Sequence, residues 1–191
     1  MTNKAEKNGP EQVVYEGRIM QIVEQPMKIG DKDVVFERAR RAPGTRLIIV
    51  RDRQILLSRE YREELGDYDY RLPGGKVYDS LGEYQAALDE ETDMAAAATR
   101  AAAREAREEA GIKSQDMELF YLSRSGATVE WDLYYFVVTE FVELEGQALE
   151  DGEDIETEWL DFETAKDYAV SGKMKEDRSI GVLLRYLLAQ T

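Results

Sequence analysis

Short apolar runs separated by polar or turn-forming residues fill the first part of the chain, and this pattern is typical of antiparallel strands. The runs are too short and too interrupted for helices. They indicate a hairpin or meander that precedes the main domain. The predicted strands are residues 13–15, 19–23 and 34–36, with a turn at residues 30–31 and an interruption at Pro26.

Longer apolar runs follow, and they predict strands that are well buried. Residues 47–50 and 55–57 flank a polar stretch and therefore predict a hairpin. Residues 67–70 are predicted to form a loop. β-Branched and aromatic residues return later in the chain, where they predict strands at residues 116–122, 129–142 and 159–160.

Helix-forming sequence lies mainly in the second half of the chain. Residues 94–110 combine alanine with arginine and glutamate, which are strong helix formers, and Gly111 is predicted to end this helix. The acidic residues 143–158 predict a mobile loop. The other predicted helices are residues 81–88, 164–170 and 177–188, the last with a buried face of Ile180, Leu183, Leu184, Leu187 and Leu188.

Hairpins dominate the predicted strand connections, and a long central helix and a C-terminal helix accompany them. This combination predicts the α+β class, with helices packed on a mixed sheet, rather than a doubly wound parallel sheet. A length of 191 residues suits one domain with a small appendage. We therefore predict a disordered tail at residues 1–11, N-terminal strands at residues 12–42 and the main domain at residues 43–191.

Composition excludes several kinds of chemistry. With 40 acidic and 25 basic residues, the net charge of −15 opposes attraction to nucleic acid or to an anionic membrane. The chain has no Cys and no His, which removes thiol chemistry, the commonest general base and the commonest zinc ligand. Its polar N-terminus does not resemble a signal peptide, so a cytoplasmic location is expected.

Three glutamates in residues 104–112 are the strongest candidates for chemistry. On a helix Glu105, Glu108 and Glu109 share one face, because they lie three and four positions apart, and like charges at these spacings repel. Such crowding indicates a divalent cation, and carboxylate oxygens favour Mg²⁺, with Mn²⁺ as the alternative. A salt-bridged surface helix is the other interpretation, since Arg104 and Glu108 are four positions apart.

The glycine pair Gly74 and Gly75 precedes this helix, and adjacent glycines permit a close approach between backbone and ligand. The stretch Gly-Gly-Lys-Val, followed by Arg-Glu-Ala-Arg-Glu-Glu-Ala-Gly-Ile at residues 104–112, resembles the signature of the Nudix hydrolase superfamily. That signature places a Gly, then a Glu, before Arg-Glu-apolar-x-Glu-Glu-x-Gly-apolar. The resemblance implies an α/β/α sandwich with a mixed sheet.

The chain departs from this signature between its two halves. About 15 residues are inserted between Gly75 and Arg104, and the signature's first Glu is absent, since Leu81 or Ala96 occupies its place. The inserted residues could shield the site, extend an interface between subunits or decorate the fold. The candidates to replace the absent glutamate are Glu83, Glu90 and Glu91.

The resemblance extends to the branch of ADP-ribose and nucleotide-sugar pyrophosphatases. It is carried by Arg-Arg-x-Pro-Gly at residues 40–44, Arg-Glu-Tyr-Arg at 59–62 and Gly-Glu-Asp-Ile at 152–155. Members of that branch are typically homodimers whose N-terminal strands help to build the partner's site, so residues 12–42 are implied as a dimerisation element. One departure is at residues 123–126, where Ser-Arg-Ser-Gly replaces the branch's Ser-Pro-Gly-Gly.

The resemblance also implies a role for each matching residue. The Gly75 carbonyl, Glu105 and Glu109 would bind Mg²⁺, and Glu108 would ligate it or hold its water. Arg104 would orient these carboxylates, and Glu153 would be the catalytic base, with Glu150 as second choice. A solvated acidic loop also explains these last two glutamates. The candidate substrate contacts are Arg40, Arg41, Arg62 and Arg71 for phosphate and Trp131 or Tyr15 for a base, although each also suits an ordinary core or surface position.

These implied roles predict an enzyme that uses Mg²⁺ to hydrolyse the pyrophosphate bond of a nucleoside diphosphate linked to another moiety. ADP-ribose or a nucleotide sugar is the preferred substrate, giving a nucleoside monophosphate and a phosphorylated product. One alternative is a house-cleaning pyrophosphatase for nucleoside triphosphates. The other is a non-catalytic Nudix module that senses a ligand. The expected partners are a nucleotide-type small molecule and a second copy of the chain, with no nucleic acid and no membrane.

Overall fold

The computed structural model of the protein describes residues 4–126, 128–149, 152 and 154–190. The strands are β1 (Ala5–Lys7), β2 (Gln12–Glu16), β3 (Gln21–Ile29), β4 (Lys32–Arg40), β5 (Gly44–Arg51), β6 (Gln54–Arg62), β7 (Asp67–Arg71), β8 (Ile112–Ser123), β9 (Val129–Glu130), β10 (Leu133–Glu143) and β11 (Ile155–Asp161). The helices are α1 (Leu81–Asp89), α2 (Met94–Glu108), α3 (Phe162–Val170) and α4 (Asp177–Ala189).

Contacts within the chain define two compact units, and each takes in segments that are distant in sequence. The first unit contains Met1–Pro43, Tyr78–Thr92 and Arg124–Asp132. The inserted residues therefore group with the N-terminal strands. The second unit contains Gly44–Val77, Asp93–Ser123 and Leu133–Thr191.

A largely antiparallel sheet forms the body of the first unit. Its strand order is β1-β3-β4-β9, with β2 also paired to β3 and with β9 parallel to β4. The β3–β4 hairpin turns at Gly30, whose φ of 60° suits a tight turn, as predicted for residues 30–31. In the same unit α1 begins at Ser80, whose hydroxyl accepts a hydrogen bond from the Glu83 amide.

A mixed sheet forms the centre of the second unit, with the order β11-β6-β5-β10-β8 and with β7 paired to β6. β10 runs parallel to β5, whereas the other pairs are antiparallel. Helix α2 packs on β5, β8 and β10 through the fully buried Ala98, Ala102 and Ala106, whose small side chains permit a close approach. The prediction of an α+β fold with a mixed sheet and preceding N-terminal strands is confirmed.

Pro26 does not interrupt a strand, contrary to the prediction. β3 runs through it, and Pro26 pairs opposite Val35 of β4. The Pro26 carbonyl accepts a hydrogen bond of 2.9 Å from the backbone amide of Asn8, on the side of β3 away from β4. The nitrogen and carbonyl of a strand residue point to the same side, so the missing N–H removes no bond from the β3–β4 ladder.

Residues 67–70 form most of β7 and not the predicted loop. Five residue pairs join this strand to β6, and Asp69 within it is fully buried. The Asp69 carboxylate accepts hydrogen bonds from Arg71 Nε at 2.6 Å and from the Lys175 amide at 2.9 Å. A buried carboxylate with charged and backbone donors is stable there, although its sequence suggests an exposed position.

Tertiary pairing also changes the predicted ends and faces of other elements. Ala5–Lys7, within the predicted tail, form β1 through pairing with β3, and residues 155–158 of the predicted loop belong to β11. Leu188 is wrongly predicted as buried: it is 65% exposed, because Val182 and Tyr186 share the buried face of α4 with Leu183 and Leu187.

The predicted domain boundaries stay predictions. Among the described helices, none is long and apolar enough to cross a membrane.

A buried ion pair ties the central strand β5 to the start of α4. Arg46 Nε donates to Glu176 Oε2 at 3.1 Å, and the Ser179 hydroxyl donates to the same oxygen at 2.6 Å. The Tyr135 and Ser179 hydroxyl oxygens lie 3.2 Å apart. Burial raises the pKa of Glu176, but the charge of Arg46 and these hydrogen bonds outweigh burial and lower the pKa below its ordinary value.

We expect Glu176→Gln to lower the free energy of unfolding by about 3 kcal/mol at neutral pH, because it leaves Arg46 buried without a counter-charge. The pKa of Glu176 is depressed in the folded state, so its stabilising contribution is present above pH 4.5 and is lost as pH falls through the folded-state pKa. Urea denaturation at several pH values measures this, and the difference from the wild type should shrink towards low pH. A difference that is constant with pH would contradict the assignment.

Candidate active site and metal-binding residues

The helix that carries the three glutamates, α2, is closed at both ends by hydrogen bonds. At its start the Asp93 carboxylate accepts hydrogen bonds from the amides of Ala95 and Ala96 at 3.0 and 3.2 Å. At its end the segment after β10 supplies donors: the Ala148 amide bonds the Glu108 carbonyl at 2.9 Å, and the Gln147 side chain bonds the Glu109 carbonyl. The last turn of α2 is therefore fixed by a distant part of the chain.

All three glutamates lie at the carboxyl end of α2. This end carries the negative pole of the helix dipole, which disfavours carboxylates, and the glutamates also repel one another. Glu105 is nearly buried, and Glu108 and Glu109 are partly buried, so water screens the repulsion incompletely. A bound cation would relieve this repulsion.

A glycine segment, residues 73–76, lies beside β5 and meets this end of α2. The Thr45 amide bonds the Gly75 carbonyl, and the Leu47 amide bonds the Pro73 carbonyl, both at 2.8 Å. Gly74 has a φ of 144°, and a Cβ atom there would lie 2.3 Å from the Thr45 carbonyl oxygen. Only glycine fits this contact.

Two of the carboxylates contact the glycine segment. Glu109 Oε2 accepts a hydrogen bond of 2.7 Å from the Gly74 amide. The Glu105 carboxylate packs on Gly75 so closely that a Cβ atom on Gly75 would lie 2.5 and 2.7 Å from its two oxygens. The two halves of the motif therefore meet in space, although the insertion separates them in sequence.

Arg104 brings a positive charge to the same place. Its Nη2 donates to the Lys76 carbonyl at 3.0 Å and to Glu105 Oε1 at 3.2 Å, and its Nε lies 3.5 Å from Glu108 Oε2. The guanidinium thus links the glycine segment with two of the three glutamates. This geometry suits the orienting role predicted for Arg104.

The donor atoms at this place fit a divalent cation in kind. Glu105, Glu108 and Glu109 supply hard carboxylate oxygens, and the Gly75 carbonyl keeps a second lone pair beside the bond from Thr45. Among the described residues no three acidic side chains are gathered into a ready-made metal cage. These four residues would hold the cation only after the carboxylates draw together around it.

A cleft of about 390 Å³ opens beside the motif in the second unit. Arg104, Arg107 and Glu108 line it from α2, and Ala148 lines it from the segment after β10. Arg107 was not among the predicted site residues, because an exposed arginine in a helix is common and gives no signal in the sequence. Its position offers a positive charge to an anionic group in the cleft.

The predicted base, Glu153, and its alternative, Glu150, lie outside the described residues. The flanking residues are described: the Gln147 side-chain amide donates to the Ile155 carbonyl at 3.1 Å as well as to the Glu109 carbonyl. Gln147 therefore links the end of α2 to the first residue of β11. No sequence pattern marks this glutamine, because its partners are backbone atoms.

Arg62 and Arg71, predicted to contact phosphate, each pair with carboxylates of the second unit. Arg62 bonds both Glu60 and Glu64, with its closest contact 2.7 Å from Glu64. Arg71 pairs with the buried Asp69, as described above. A phosphate would compete with these carboxylates, so the phosphate-binding role of both arginines stays a prediction.

Arg40, Arg41 and Trp131 lie in the first unit. Arg40 pairs with Glu11 at 2.6 Å and also with Glu130. Burial lowers the pKa of Arg40, but the hydrogen bonds to both carboxylates outweigh burial and raise it. The Arg41 guanidinium lies 4.3 Å from the centre of the Trp131 ring, a cation–π contact that brings two predicted substrate residues together.

The candidates for the absent glutamate lie in or just after α1, also in the first unit. Glu83 takes part in the start of that helix, where its carboxylate accepts a hydrogen bond of 3.1 Å from the Asp79 amide. Glu90 and Glu91 follow the helix end. The same helix supplies Tyr84 to a cavity of about 250 Å³ that is also lined by Arg124, Ser125, Gly126, Val129, Glu130 and Asp132.

Three comparisons relate this chain to known proteins. The model of the NUDIX domain matches residues 40–178. A CMP-5'-(N-acetyl-N-hydroxy-3-aminopropyl)phosphonate hydrolase of Streptomyces rubellomurinus is 26% identical over 176 residues, which are 91% of this chain and 78% of that protein. The crystal structure of an ADP compounds hydrolase matches with a TM-score of 0.70 at 16% identity, over 95% of this chain and 90% of the other, and so shows a shared fold.

The two glycines give contrasting predictions. Gly75→Ala places its Cβ against the movable end of the Glu105 side chain, so we expect a folded protein with a displaced carboxylate and Mg²⁺ binding at least tenfold weaker. Gly74→Ala meets backbone atoms instead, and we expect it to cost about 3 kcal/mol of stability. Urea denaturation and calorimetric titration with Mg²⁺ distinguish the two. Equal loss of stability in both variants would contradict the described packing.

Proposed function

The chain belongs to the NUDIX domain family and is a Nudix hydrolase of nucleotide derivatives, and from this we propose that it hydrolyses the pyrophosphate bond of a nucleoside diphosphate linked to another moiety, with Mg²⁺ as cofactor. The observation that carries the proposal is the meeting of Glu105 and Glu109 with the glycine pair, with Arg104 bound to the same segment. A cytoplasmic location remains part of this proposal.

The residues of the second unit have distinct roles in this reaction. Bound Mg²⁺ would offset the negative charge of the pyrophosphate and make water a better nucleophile. Glu105, Glu109 and the Gly75 carbonyl would hold the cation, Glu108 would ligate it or orient water, and Arg104 would keep the carboxylates in place. Glu153 takes a proton from the attacking water. The new bond joins the water oxygen to one phosphorus, the bridging P–O bond breaks, and two phosphorylated products leave.

We favour ADP-ribose or a nucleotide sugar as the substrate. One compared protein is named for a phosphonate derivative of CMP and the other for ADP compounds. Arg40 and Arg41 are the proposed phosphate contacts of the first unit, and Trp131 supplies a face for a base. Arg62 and Arg71 are the proposed contacts of the second unit, and each would exchange a carboxylate partner for phosphate.

We also propose that the protein is a homodimer through its N-terminal sheet. Large apolar side chains on β2, β4 and the β2–β3 connection are 39–58% exposed, which leaves this sheet with apolar area that a partner could cover. β2 is also an edge strand, so its backbone can pair with another chain. The exposed apolar residues are Val13, Val14, Tyr15, Ile19, Met20, Val35 and Phe36.

Glu109→Gln tests the metal site. The amide keeps an oxygen that can accept the hydrogen bond from the Gly74 amide, so the fold should survive, but it removes the charge that holds the cation. We expect the hydrolysis rate to fall by at least a hundredfold at saturating Mg²⁺. The assay measures product release from ADP-ribose, nucleotide sugars and nucleoside triphosphates.

Glu163→Gln is the matched control, because Glu163 is an exposed glutamate of the same unit whose Lys166 contact is 3.9 Å long. It should retain wild-type rates. A correctly folded Glu109→Gln with near-normal rates would remove the metal-site assignment, and no turnover of any substrate by the wild type would reject the enzymatic proposal. Turnover of triphosphates alone would favour the house-cleaning alternative.

Tyr15→Lys tests the dimer. A charge in place of an apolar ring on the edge strand should shift the protein from dimer to monomer in light scattering, with little change in stability because Tyr15 is exposed. Val170→Lys is the control, since Val170 is an exposed apolar residue of α3 in the second unit. A wild type that is monomeric at micromolar concentration, or a Tyr15→Lys variant that stays dimeric, would contradict the proposed interface.

A further inference from the structure

A buried hydroxyl beside the glycine segment has no partner. Thr45 is fully buried on β5, and no group in the described part of the chain forms a hydrogen bond with its Oγ1. An unsatisfied buried polar group costs about 1–3 kcal/mol. Valine has nearly the same shape and avoids this cost, so packing alone does not explain a threonine here.

The pairing of β5 with the glycine segment places the Thr45 side chain on the face where Glu105 contacts Gly75. The bonds from Thr45 to Gly75 and from Leu47 to Pro73 set Thr45 directly opposite Gly75 in an antiparallel pair. The Cβ positions of such a pair point to the same face and lie about 5 Å apart. The Glu105 carboxylate oxygens lie 2.5 and 2.7 Å from the position that a Gly75 Cβ would take, so the carboxylate lies on the face of this pair to which the Thr45 side chain also points.

The neighbouring residue on β5 cannot take this place. Arg46 points to the opposite face of the sheet, since side chains alternate along a strand, and it is bound there to Glu176. Thr45 is therefore the β5 residue whose side chain faces the carboxylate. The backbone of Thr45 is already used, because its amide bonds Gly75 and its carbonyl accepts from Arg46 Nη1 at 2.8 Å.

Glu105 can accept a further hydrogen bond when it binds a cation. Arg104 Nη2 lies 3.2 Å from Glu105 Oε1, and a carboxylate has about four lone-pair sites, so Arg104, a cation and a second donor can share it. A carboxylate that ligates a metal is usually held by a hydrogen bond from a neighbouring group, which fixes its orientation. Thr45 Oγ1 is a buried donor on the same face that has no hydrogen-bond partner among the described residues.

We propose that Thr45 is a positioning residue for the cation site, whose hydroxyl donates a hydrogen bond to the Glu105 carboxylate when that carboxylate ligates a divalent cation. This inference rests on the proposed function, because it requires a cation at Glu105. It explains why an unsatisfied hydroxyl is kept in the core: its cost in the metal-free protein is recovered when the cation binds.

The test compares Thr45→Val with Thr45→Ser in the full-length protein. Thr45→Val removes the hydroxyl at nearly constant shape, so without metal it should be as stable as the wild type or more stable in urea denaturation. The same variant should bind Mg²⁺ about tenfold more weakly in calorimetric titration. Thr45→Ser keeps the hydroxyl and should restore the wild-type affinity.

Three results would overturn the inference, and they differ in what else they affect. If the wild type and Thr45→Val bind Mg²⁺ equally, Thr45 has no part in the site, and the proposed function stands. If Thr45→Val is less stable than the wild type without metal, the hydroxyl has a structural role. If the wild type binds no Mg²⁺, the proposed function fails and the inference fails with it.

Discussion

Repulsion among three carboxylates at the carboxyl end of α2 is the constraint on which the site depends. Glu105, Glu108 and Glu109 repel one another and face the negative pole of their own helix. Part of this cost is offset locally by Arg104, and the helix end is held by donors from Gln147 and Ala148. The arrangement costs stability in the metal-free protein, and a bound divalent cation would relieve that cost.

The glycine segment turns this charged helix end into a site of defined shape. Two backbone hydrogen bonds hold residues 73–76 against β5, and the absence of side chains at Gly74 and Gly75 lets the Thr45 backbone and the Glu105 carboxylate approach them. The inserted residues 78–92 group with the first unit, while both halves of the motif belong to the second. The insertion therefore leaves the contact between the two halves intact.

The candidate substrate arginines show where reasoning from sequence stops. Arg40, Arg62 and Arg71 are basic residues in an acidic chain, which suggested contacts to phosphate, but each pairs with carboxylates of this chain in the structure. The partners of Arg40 lie 29 and 90 positions away, so no local pattern indicates them, whereas Arg62 and Arg71 pair with carboxylates two positions away on the same strand face. The fully buried Asp69 is the clearest case, because an aspartate in a polar stretch suggests a loop and not a strand.

The sequence by itself determined the class of fold, the helix α2, the central hairpin of β5 and β6, and the family. These features depend on local periodicity, intrinsic propensity and a compact motif, all of which can be read from neighbouring residues. Only the tertiary structure showed that β3 continues through Pro26 and that residues 67–71 form the strand β7. It also showed that Gln147 donates a hydrogen bond to the end of α2 and that Thr45 lies opposite Gly75. The contacts of Gln147 and Thr45 depend on partners that are distant in the chain, whereas β3 and β7 depend on pairing with a neighbouring strand. In both cases register and burial decide the pairing, and the residues of one segment alone do not.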